Sequence, residues 1–480
     1  MRDRYSSGMG SVISYQLSVI NAGFEQLRRC YPVGVSDRPE TVPLSPPPPP
    51  EQVPKSVLRS LRRGLLIFTV AIVAIVGVFE VWRQGTLKFE RDALAATVQK
   101  VDDAILHGKT PVAYYNAHAT GRNGWAAYQS ALDMMPAHTD RKDDPRLKVI
   151  VDWMNESASD DRALPDKETS KSWIAAMEPM AVALAEAASA DVLVREYRDG
   201  SNWLDASIRV TPEMYAWKLA SLRVELLFQV GRVADGEREL GNLVRLSSLR
   251  AHPASMIEGL VAFSQSAIAT DLAVRISSRH RLSAETLGKL AASWPKAMAL
   301  LAPMFEGELV WMCWMAESEP LVTSADGWFA WAPTQDNEDT SLTQERGIFV
   351  GVSLRRAIRT NMQHLQECLG KMLEGESLSA LPAPHDALSP LAIDARPHAL
   401  RVLKYEALLS LRRAAIELRL LEHEGPLGKQ REQVETVARK FHGISVQFEG
   451  DDCVLTLVPA QFSGVEFDAN ERMIRLKPLP

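Results

Sequence analysis

The chain has 480 residues, of which 46% are hydrophobic and 24% are charged, and its formal net charge is −6. These proportions are typical of a globular protein, and the acidic balance argues against a general nucleic-acid binder, which needs a basic face to replace phosphate counterions. None of the four cysteines forms a Cys-x-x-Cys pair, which excludes zinc ribbons and thioredoxin-like motifs.

The first 62 residues are rich in proline, with Pro43, the run Pro46–Pro50 and Pro54. Such a run forms a stiff polyproline spacer, and we expect residues 1–62 to be a disordered tail on the cytoplasmic side. The spacer holds the tail off the membrane, or it is a docking site for a proline-recognising partner. Apolar residues between Val12 and Leu27 have the spacing of a short amphipathic helix.

Residues 64–82 are predicted to form one transmembrane helix. No charged residue lies between Gly64 and Phe79, and Trp82 suits an interfacial anchor. At 1.5 Å per residue the segment spans roughly 28 Å, close to the thickness of a hydrocarbon core. A buried core helix would rarely be apolar on every face, and the long preceding tail argues against a cleaved signal peptide. The predicted membrane partner of the chain is therefore lipid, through residues 64–82.

The basic residues that flank this segment predict its orientation. Four of them precede it between Lys55 and Arg63, and three follow it between Arg83 and Arg91. Because basic residues accumulate on the cytoplasmic side, we expect a single-pass protein of the cell inner membrane. Its N-terminus would be cytoplasmic and its large domain periplasmic.

Residues 83–317 are predicted to form a helical domain, since apolar residues recur there at helical spacing. Thr211 and Pro212 suit a helix start, Leu219, Leu222 and Leu226 line one face, and Gly231 suits a helix end. Residues 211–250 resemble a tetratricopeptide unit, but no 34-residue repeat is present. We therefore predict an irregular helical solenoid or bundle, and the fold class is mainly α.

The C-terminal third is predicted to have two parts. Residues 318–398 form a loop-rich segment with a central helix, and residues 318–345 are expected to be a long loop. Residues 399–480 form a C-terminal helix followed by a small antiparallel β-sheet. In that sheet, Val446 and Phe448 lie before a turn at residues 450–452, and Val454 and Leu457 follow it. A second turn at residues 468–470 is flanked by Val465 and Phe467 and then by Met473, Ile474 and Leu476, which are also interpreted as strands.

Known catalytic and metal-binding motifs are missing from the sequence. The Gly108-Lys109-Thr110 triplet lacks the first glycine of a phosphate-binding loop, since Asp103 occupies that position. There is no His-Glu-x-x-His, Gly-x-Ser-x-Gly or Gly-x-Gly-x-x-Gly motif, and the histidines are scattered. We therefore predict no metal, no cofactor and no assigned catalytic residue.

Two clusters nevertheless suggest a candidate groove. Paired carboxylates near tryptophans would serve acid–base chemistry if burial moved their pKa values apart, and tryptophans would line a site for a peptide, glycan or lipid. The alternatives are a solvated helix edge for the carboxylates and core packing for the tryptophans. The candidate residues are Glu306, Glu308, Trp311, Trp314, Trp328 and Trp331.

Three short segments resemble a group of uncharacterised bacterial single-pass membrane proteins with a long helical ectodomain. They are residues 123–129 (Asn-Gly-Trp-Ala-Ala-Tyr-Gln), 306–308 (Glu-Gly-Glu), and 412–419 running into Glu422-His423-Glu424-Gly425. The group has a Tyr-Pro pair after its last helix, whereas Gly425-Pro426-Leu427 stands here. The helix-then-sheet ending is also similar to a type II secretion pseudopilin, although the cleaved leader of that family is absent.

Three hypotheses about function follow. The first is a membrane-anchored helical scaffold of the bacterial cell envelope, which binds a protein partner on its helical domain. The second is an envelope enzyme of hydrolase type that uses the carboxylates near the tryptophan cluster. The third is an accessory component of a secretion or pilus-like system.

Overall fold

The structure, a computed structural model, describes residues 55–135, 145–156, 164–198, 201, 210–250, 252–317, 330–335, 342–347, 350–384 and 394–479. Within these ranges the protein is mostly helical, and a small antiparallel sheet lies near the C-terminus. The predicted fold class is confirmed in these two features. Of the tail expected at residues 1–62, residues 1–54 lie outside the described ranges. Residues 55–62 are helical and not disordered, because they begin a helix that runs from Lys55 to Val101.

The helices before residue 320 build the larger part of the fold. They are α1 (Lys55–Val101), α2 (Pro111–Asn116), α3 (Trp125–Asp133), α4 (Pro145–Glu156), α5 (Lys167–Ala176), α6 (Glu178–Ala188), α7 (Val210–Gln229), α8 (Val233–Ser248), α9 (Met256–Arg279), α10 (Ala284–Ala292) and α11 (Met298–Glu317).

The remaining elements follow in this order: β1 (Ala330–Gln335), β2 (Leu342–Gly347), α12 (Val350–Leu373), α13 (Ala395–Leu421), α14 (Arg431–Arg439), β3 (Ile444–Glu449), β4 (Asp452–Leu457) and β5 (Met473–Leu476). Strands β1 and β2 form an antiparallel hairpin, and β3, β4 and β5 form an antiparallel sheet in that order.

Several predicted helix signals are found where the sequence places them. Leu219, Leu222 and Leu226 are buried in α7, and Gly231 follows the end of that helix with a φ of 84°. Glycine is favoured at that position because it has no Cβ to clash in a left-handed conformation. Ser255 caps α9 by accepting a hydrogen bond from the backbone N–H of Glu258.

The buried apolar residues form two clusters. The larger cluster runs from the second half of α1 through α13, and helix α9 lies inside it, packed against α7, α8, α11 and α13. The smaller cluster joins the C-terminal half of α13 to α14 and the β3–β5 sheet. The sheet is therefore built onto the end of one long helix of the main body.

Two local predictions differ from the structure. Residues 330–335 and 342–347, within the stretch expected to be a loop, form the β1–β2 hairpin. Val465 and Phe467 are not in a strand, whereas Met473, Ile474 and Leu476, which were also predicted as strand, lie in β5 and pair with β4. Phe467 instead packs edge-to-face against Phe462, with 5.6 Å between the ring centroids. The alternating apolar positions of Val465 and Phe467 therefore reflect packing against the sheet and not strand pairing.

Candidate functional site

Residues 66–82 of helix α1 form an apolar stretch that the protein leaves largely uncovered. Leu66, Ile75 and Val78 expose 67%, 68% and 72% of their surface. Exposed apolar surface on this scale marks a contact with a membrane or another molecule. Among the described residues, two helical stretches contain an 18-residue window apolar enough to cross a membrane. In Leu66–Asn116 that window has a mean hydropathy of 2.1 and is 6% buried, and in Met256–Arg279 it has a mean hydropathy of 1.2 and is 67% buried.

The second half of α1 is part of the folded body. Its buried positions recur every three or four residues, which places them on one face of the helix. This face packs chiefly against α12. The buried residues are Arg83, Leu87, Glu90, Leu94, Thr97 and Val101.

Glu90 joins α1 to α12 through two ion pairs. It is 1% exposed, and it accepts hydrogen bonds from Arg356 at 2.8 Å and from Arg359 at 3.1 and 3.0 Å. Removing one partner of a buried pair leaves an uncompensated charge. These bonds therefore fix the position of α1 on the body at the level of Glu90.

The Glu306-Gly307-Glu308 segment lies on α11, where this helix crosses the start of α9. A Cβ added to Gly307 would lie 2.1 Å from the carbonyl oxygen of Pro253. The Tyr115 hydroxyl lies 2.9 Å from the carbonyl oxygen of Gly307 and 3.1 Å from that of Ala254. Glycine is required here because two backbone segments approach closely.

Glu308 faces the N-terminus of α9. It is buried and accepts a hydrogen bond from the backbone N–H of Met256 at 2.8 Å. A carboxylate at this end satisfies a free N–H and complements the helix dipole. Burial nevertheless raises the pKa of Glu308 to about 7, although the bond from Met256 opposes that rise.

Glu306 faces a different group of titratable side chains. The Tyr114 hydroxyl donates to it at 3.3 Å, and the Tyr114 ring lies 4.8 Å from the ring of His118. His118 stacks on His252, with 3.7 Å between centroids and an angle of 14° between planes. Four acid–base groups thus form one continuous series of contacts.

The pKa values in this series move away from their ordinary ranges. Burial raises the pKa of Glu306, and the bond from Tyr114 opposes that rise. Burial lowers the pKa of His252 to about 4, and the neighbouring His118 lowers it further. The pKa of His118 is also lowered, first by burial and then by Lys109. Groups whose pKa values are moved in this way cluster at functional sites, although structural networks do the same.

The four tryptophans of the predicted groove have different surroundings. Trp314 packs against Tyr197 and Tyr115, with centroid separations of 5.5 and 6.2 Å, and Trp311 is half-buried against the main core. Trp328 lies outside the described residues. Trp331 is on β1, where the structure describes only the backbone. Glu306, Glu308, Trp311 and Trp314 therefore all lie on α11, but the two carboxylates have different partners and Trp314 belongs to a separate aromatic cluster.

Sequence reasoning did not identify a buried ionic network beside this site. Arg250 donates to Glu213 and, at 3.1 Å, to Glu258. Glu213 also accepts from Tyr128 at 3.1 Å and from Gln265 at 2.9 Å. The partners come from separate helices and from no common motif. Among the described residues, no group of three or more His, Cys, Asp or Glu side chains is placed to hold a metal ion.

The described cysteines are buried free thiols. Cys313, Cys368 and Cys453 have no disulfide partner, and burial raises the pKa of Cys313 and of Cys368 to about 12. A thiol with a raised pKa is a poor nucleophile at neutral pH. These three residues therefore act as small apolar side chains of the core.

Comparison with protein-family models, with curated proteins and with solved structures finds no match to this chain.

Proposed function

We propose that this chain is a membrane-anchored helical scaffold of the bacterial cell envelope, which binds a protein partner through its helical domain. The observation that carries the proposal is the two-part character of α1. Its first half exposes apolar side chains, whereas its second half is packed into the body. Lipid is the environment in which such a first half is stable.

The anchor in this proposal is the single span of residues 64–82. The second apolar helix, α9, has 67% of its most apolar stretch buried inside the fold. Its side chains already have protein neighbours, and it also carries the buried Glu258 at its first turn. A soluble core helix explains α9, so that the protein passes through the membrane once.

Orientation and partner complete the proposal. The basic residues before the span outnumber those after it, which favours a cytoplasmic N-terminus and a periplasmic body. A scaffold function is supported by the absence of known catalytic motifs in the sequence and by the rigid link at Glu90. That link presents the body at a fixed height above the bilayer.

Charged residues in the span test the anchor. Val73 and Val76 lie near its centre, and each arginine there costs about 3 kcal/mol of insertion free energy. The Val73→Arg, Val76→Arg variant should become extractable by alkaline carbonate, whereas the wild-type chain stays in the membrane pellet. A matched control exists in Val149→Arg, Val182→Arg, since both valines are 58% exposed on the body. This control should stay in the pellet; release of the wild-type chain would contradict the anchor.

The scaffold function has its own test in native membranes. A photo-crosslinking amino acid is introduced, in separate variants, at Val182, Ile257 or Leu373. These are apolar positions on the surface of the body, and these residues are 58%, 45% and 69% exposed. We expect one discrete crosslinked species from at least one position. Monomer alone at all three positions, with the chain still embedded, would contradict a partner at these faces.

We propose an envelope hydrolase as the second candidate, supported by the contacts of Glu306. A half-buried carboxyl group with a raised pKa suits a general acid, and imidazoles with lowered pKa values suit a base. Hydrolysis of model esters, glycosides and peptides by the full chain in detergent tests it. Glu306→Gln should abolish any activity found, while Glu308→Gln, which alters a helix cap, should retain it. Equal activity in wild type and Glu306→Gln would exclude this role.

A further inference from the structure

The folded body begins where the proposed span ends. Trp82 is the last residue of the span, and Arg83, the next residue, is already buried with a relative exposure of 2%. Helix α1 continues without interruption to Val101. No linker separates the bilayer from the body, so the first residues of the body lie at the height of the lipid headgroups.

Helix geometry gives the heights of the side chains that follow. At 1.5 Å per residue, Lys88 and Arg91 lie roughly 9 and 14 Å beyond Trp82 along the helix axis. The headgroup layer occupies roughly 5 to 8 Å on each side of the hydrocarbon, and electrostatic attraction extends about 8 Å further at physiological salt. Arg356 and Arg359 share this height because both bond to Glu90.

The charge at this height is opposite to that of the whole chain. Residues 80–92 and 355–359 contain six basic and three acidic side chains, a net charge of +3, whereas the whole chain carries −6. Lys88, Arg91 and Arg356 are exposed. Glu90, buried between Arg356 and Arg359, offsets only one of these two positive charges.

An exposed aromatic residue lies within the same group. Phe89 has 64% of its surface exposed and stands between Lys88 and the buried Glu90. Basic residues together with exposed phenylalanine are typical of segments that lie in the membrane interface. An apolar ring at this height is stable among headgroups and acyl ends, and less so in water.

We infer that Lys88, Arg91, Arg356 and Arg359 form a basic collar that binds the headgroups of anionic phospholipids around the anchor. The inference rests on the proposed anchor, and it adds a lipid class and the residues that select it. Each basic residue near an anionic surface strengthens binding by roughly fivefold. The collar therefore enriches acidic lipids next to the protein and holds the body against the bilayer.

Energy transfer to labelled lipids tests the collar on the full chain. A donor dye is attached at Ala96→Cys, an exposed position on α1, in a Cys30→Ser background in which the other three cysteines are buried. The chain is reconstituted in phosphatidylcholine vesicles with a dilute acceptor on phosphatidylglycerol or, separately, on phosphatidylcholine. We expect stronger transfer to the acidic lipid, and the excess should fall as salt is raised.

Charge reversal assigns the effect to the collar. Lys88→Glu with Arg91→Glu should remove the excess transfer, and the neutral Lys88→Gln, Arg91→Gln pair should reduce it. The matched control is Lys100→Glu, which is exposed on the same helix and lies roughly 18 Å further from the bilayer than Lys88. This control should behave as wild type, and melting temperatures confirm that all variants are folded.

The outcomes separate the collar from the anchor. A chain that floats with vesicles but transfers energy equally to both lipids overturns the collar and leaves the anchor intact. The collar is also overturned if Lys100→Glu removes the excess transfer as strongly as the Lys88 and Arg91 reversal. A chain that does not float with vesicles overturns the anchor, and the collar with it.

Discussion

Replacing Gly307 by alanine should destabilise the protein, even though alanine favours helices. Gly307 lies inside α11, and an alanine in a helix interior is ordinarily stabilising by about 1 kcal/mol relative to glycine. The added methyl group would lie 2.1 Å from the backbone oxygen of Pro253. Carbon and oxygen atoms need roughly 1 Å more than that, so α11 and the segment before α9 must move apart.

The cost of this movement follows from the contacts that it breaks. Overpacking a core costs about 1–3 kcal/mol. The Tyr115 hydroxyl lies within hydrogen-bond distance of the carbonyl oxygens of Gly307 and Ala254, one on each side of the gap, and a lost hydrogen bond costs about 1 kcal/mol. After the gain in helix propensity, the expected loss is about 2 kcal/mol.

Thermal unfolding of the full chain in detergent measures this loss. A change of this size lowers the melting temperature of a body this large by roughly 2–3 °C, because the entropy of unfolding grows with chain length. Gly288→Ala is the matched control, since Gly288 lies inside α10 and an added Cβ meets nothing within 4 Å. It should raise the melting temperature slightly. If Gly307→Ala were as stable as Gly288→Ala, the close approach of α11 to Pro253 would be wrong.

Three further predictions concern buried ionisable side chains. Burial raises the folded-state pKa of Glu308 from 4.5 to about 7, so its stabilising effect is complete below pH 4.5 and is lost as the pH rises through 7. Relative to wild type, Glu308→Gln should therefore gain about 3 kcal/mol of unfolding free energy between pH 4.5 and 8, measured by denaturant titration. A difference in unfolding free energy that does not change with pH would contradict the burial of Glu308. Glu90→Ala removes the ion-pair partner of Arg359 and of the half-exposed Arg356, and should cost about 2 kcal/mol with faster hydrogen exchange over residues 87–101. Glu285→Ala, in an exposed pair, should leave the stability close to that of wild type. The folded-state pKa of His252 is lowered from 6.5 to about 4, so its contribution to stability is present above pH 6.5 and is lost as the pH falls through 4. The melting temperature of His252→Phe should therefore fall less than that of wild type as the pH is lowered from 6.5 to 4. An equal fall in melting temperature for both proteins would contradict the stacked pair.

The exposed apolar helix at residues 66–82 could be predicted because its signal lies in consecutive residues. What the sequence did not reveal is that the same helix continues into the body as far as Val101. The buried face of this continuation contains Arg83, Glu90 and Thr97 among its six positions. A stripe that is half polar gives a weak hydrophobic period. Arg83 bonds to Glu80 and Thr97 to Ala93 within the helix, whereas Glu90 pairs with Arg356 and Arg359 far away in the sequence.

The environment of the Glu306-Gly307-Glu308 segment could not be predicted for a related reason. Its residue types suggested a site, but their roles depend on distant neighbours. Glu308 bonds to Met256, 52 positions earlier, and Glu306 bonds to Tyr114, 192 positions earlier. A single sequence carries no information on which helices cross. The geometry separates two carboxylates that the sequence presented as a pair.

The C-terminal sheet shows where local signals suffice. The turn at Gly450 and Asp451 was predicted from its residues, and Gly450 has a φ of 66° between β3 and β4. A positive φ favours glycine, so the turn could be recognised in the sequence. The third strand was also predicted, at Met473, Ile474 and Leu476, and it forms β5. The additional strand predicted at Val465 and Phe467 was wrong, because their alternation arises from packing against the sheet, which has the same period as a strand.

A spin-label scan along α1, in the full chain embedded in vesicles, tests the central claim most directly. Accessibility to oxygen and to a water-soluble nickel complex would be measured at each residue from 66 to 101. We expect high oxygen access on all faces from 66 to 82, deepest near Val73, followed from Arg83 by a helical period with protected positions at Leu87, Leu94 and Val101. Access of the nickel complex throughout 66–82, or a helical period of protection within that stretch, would contradict a lipid-embedded anchor that runs directly into the folded body.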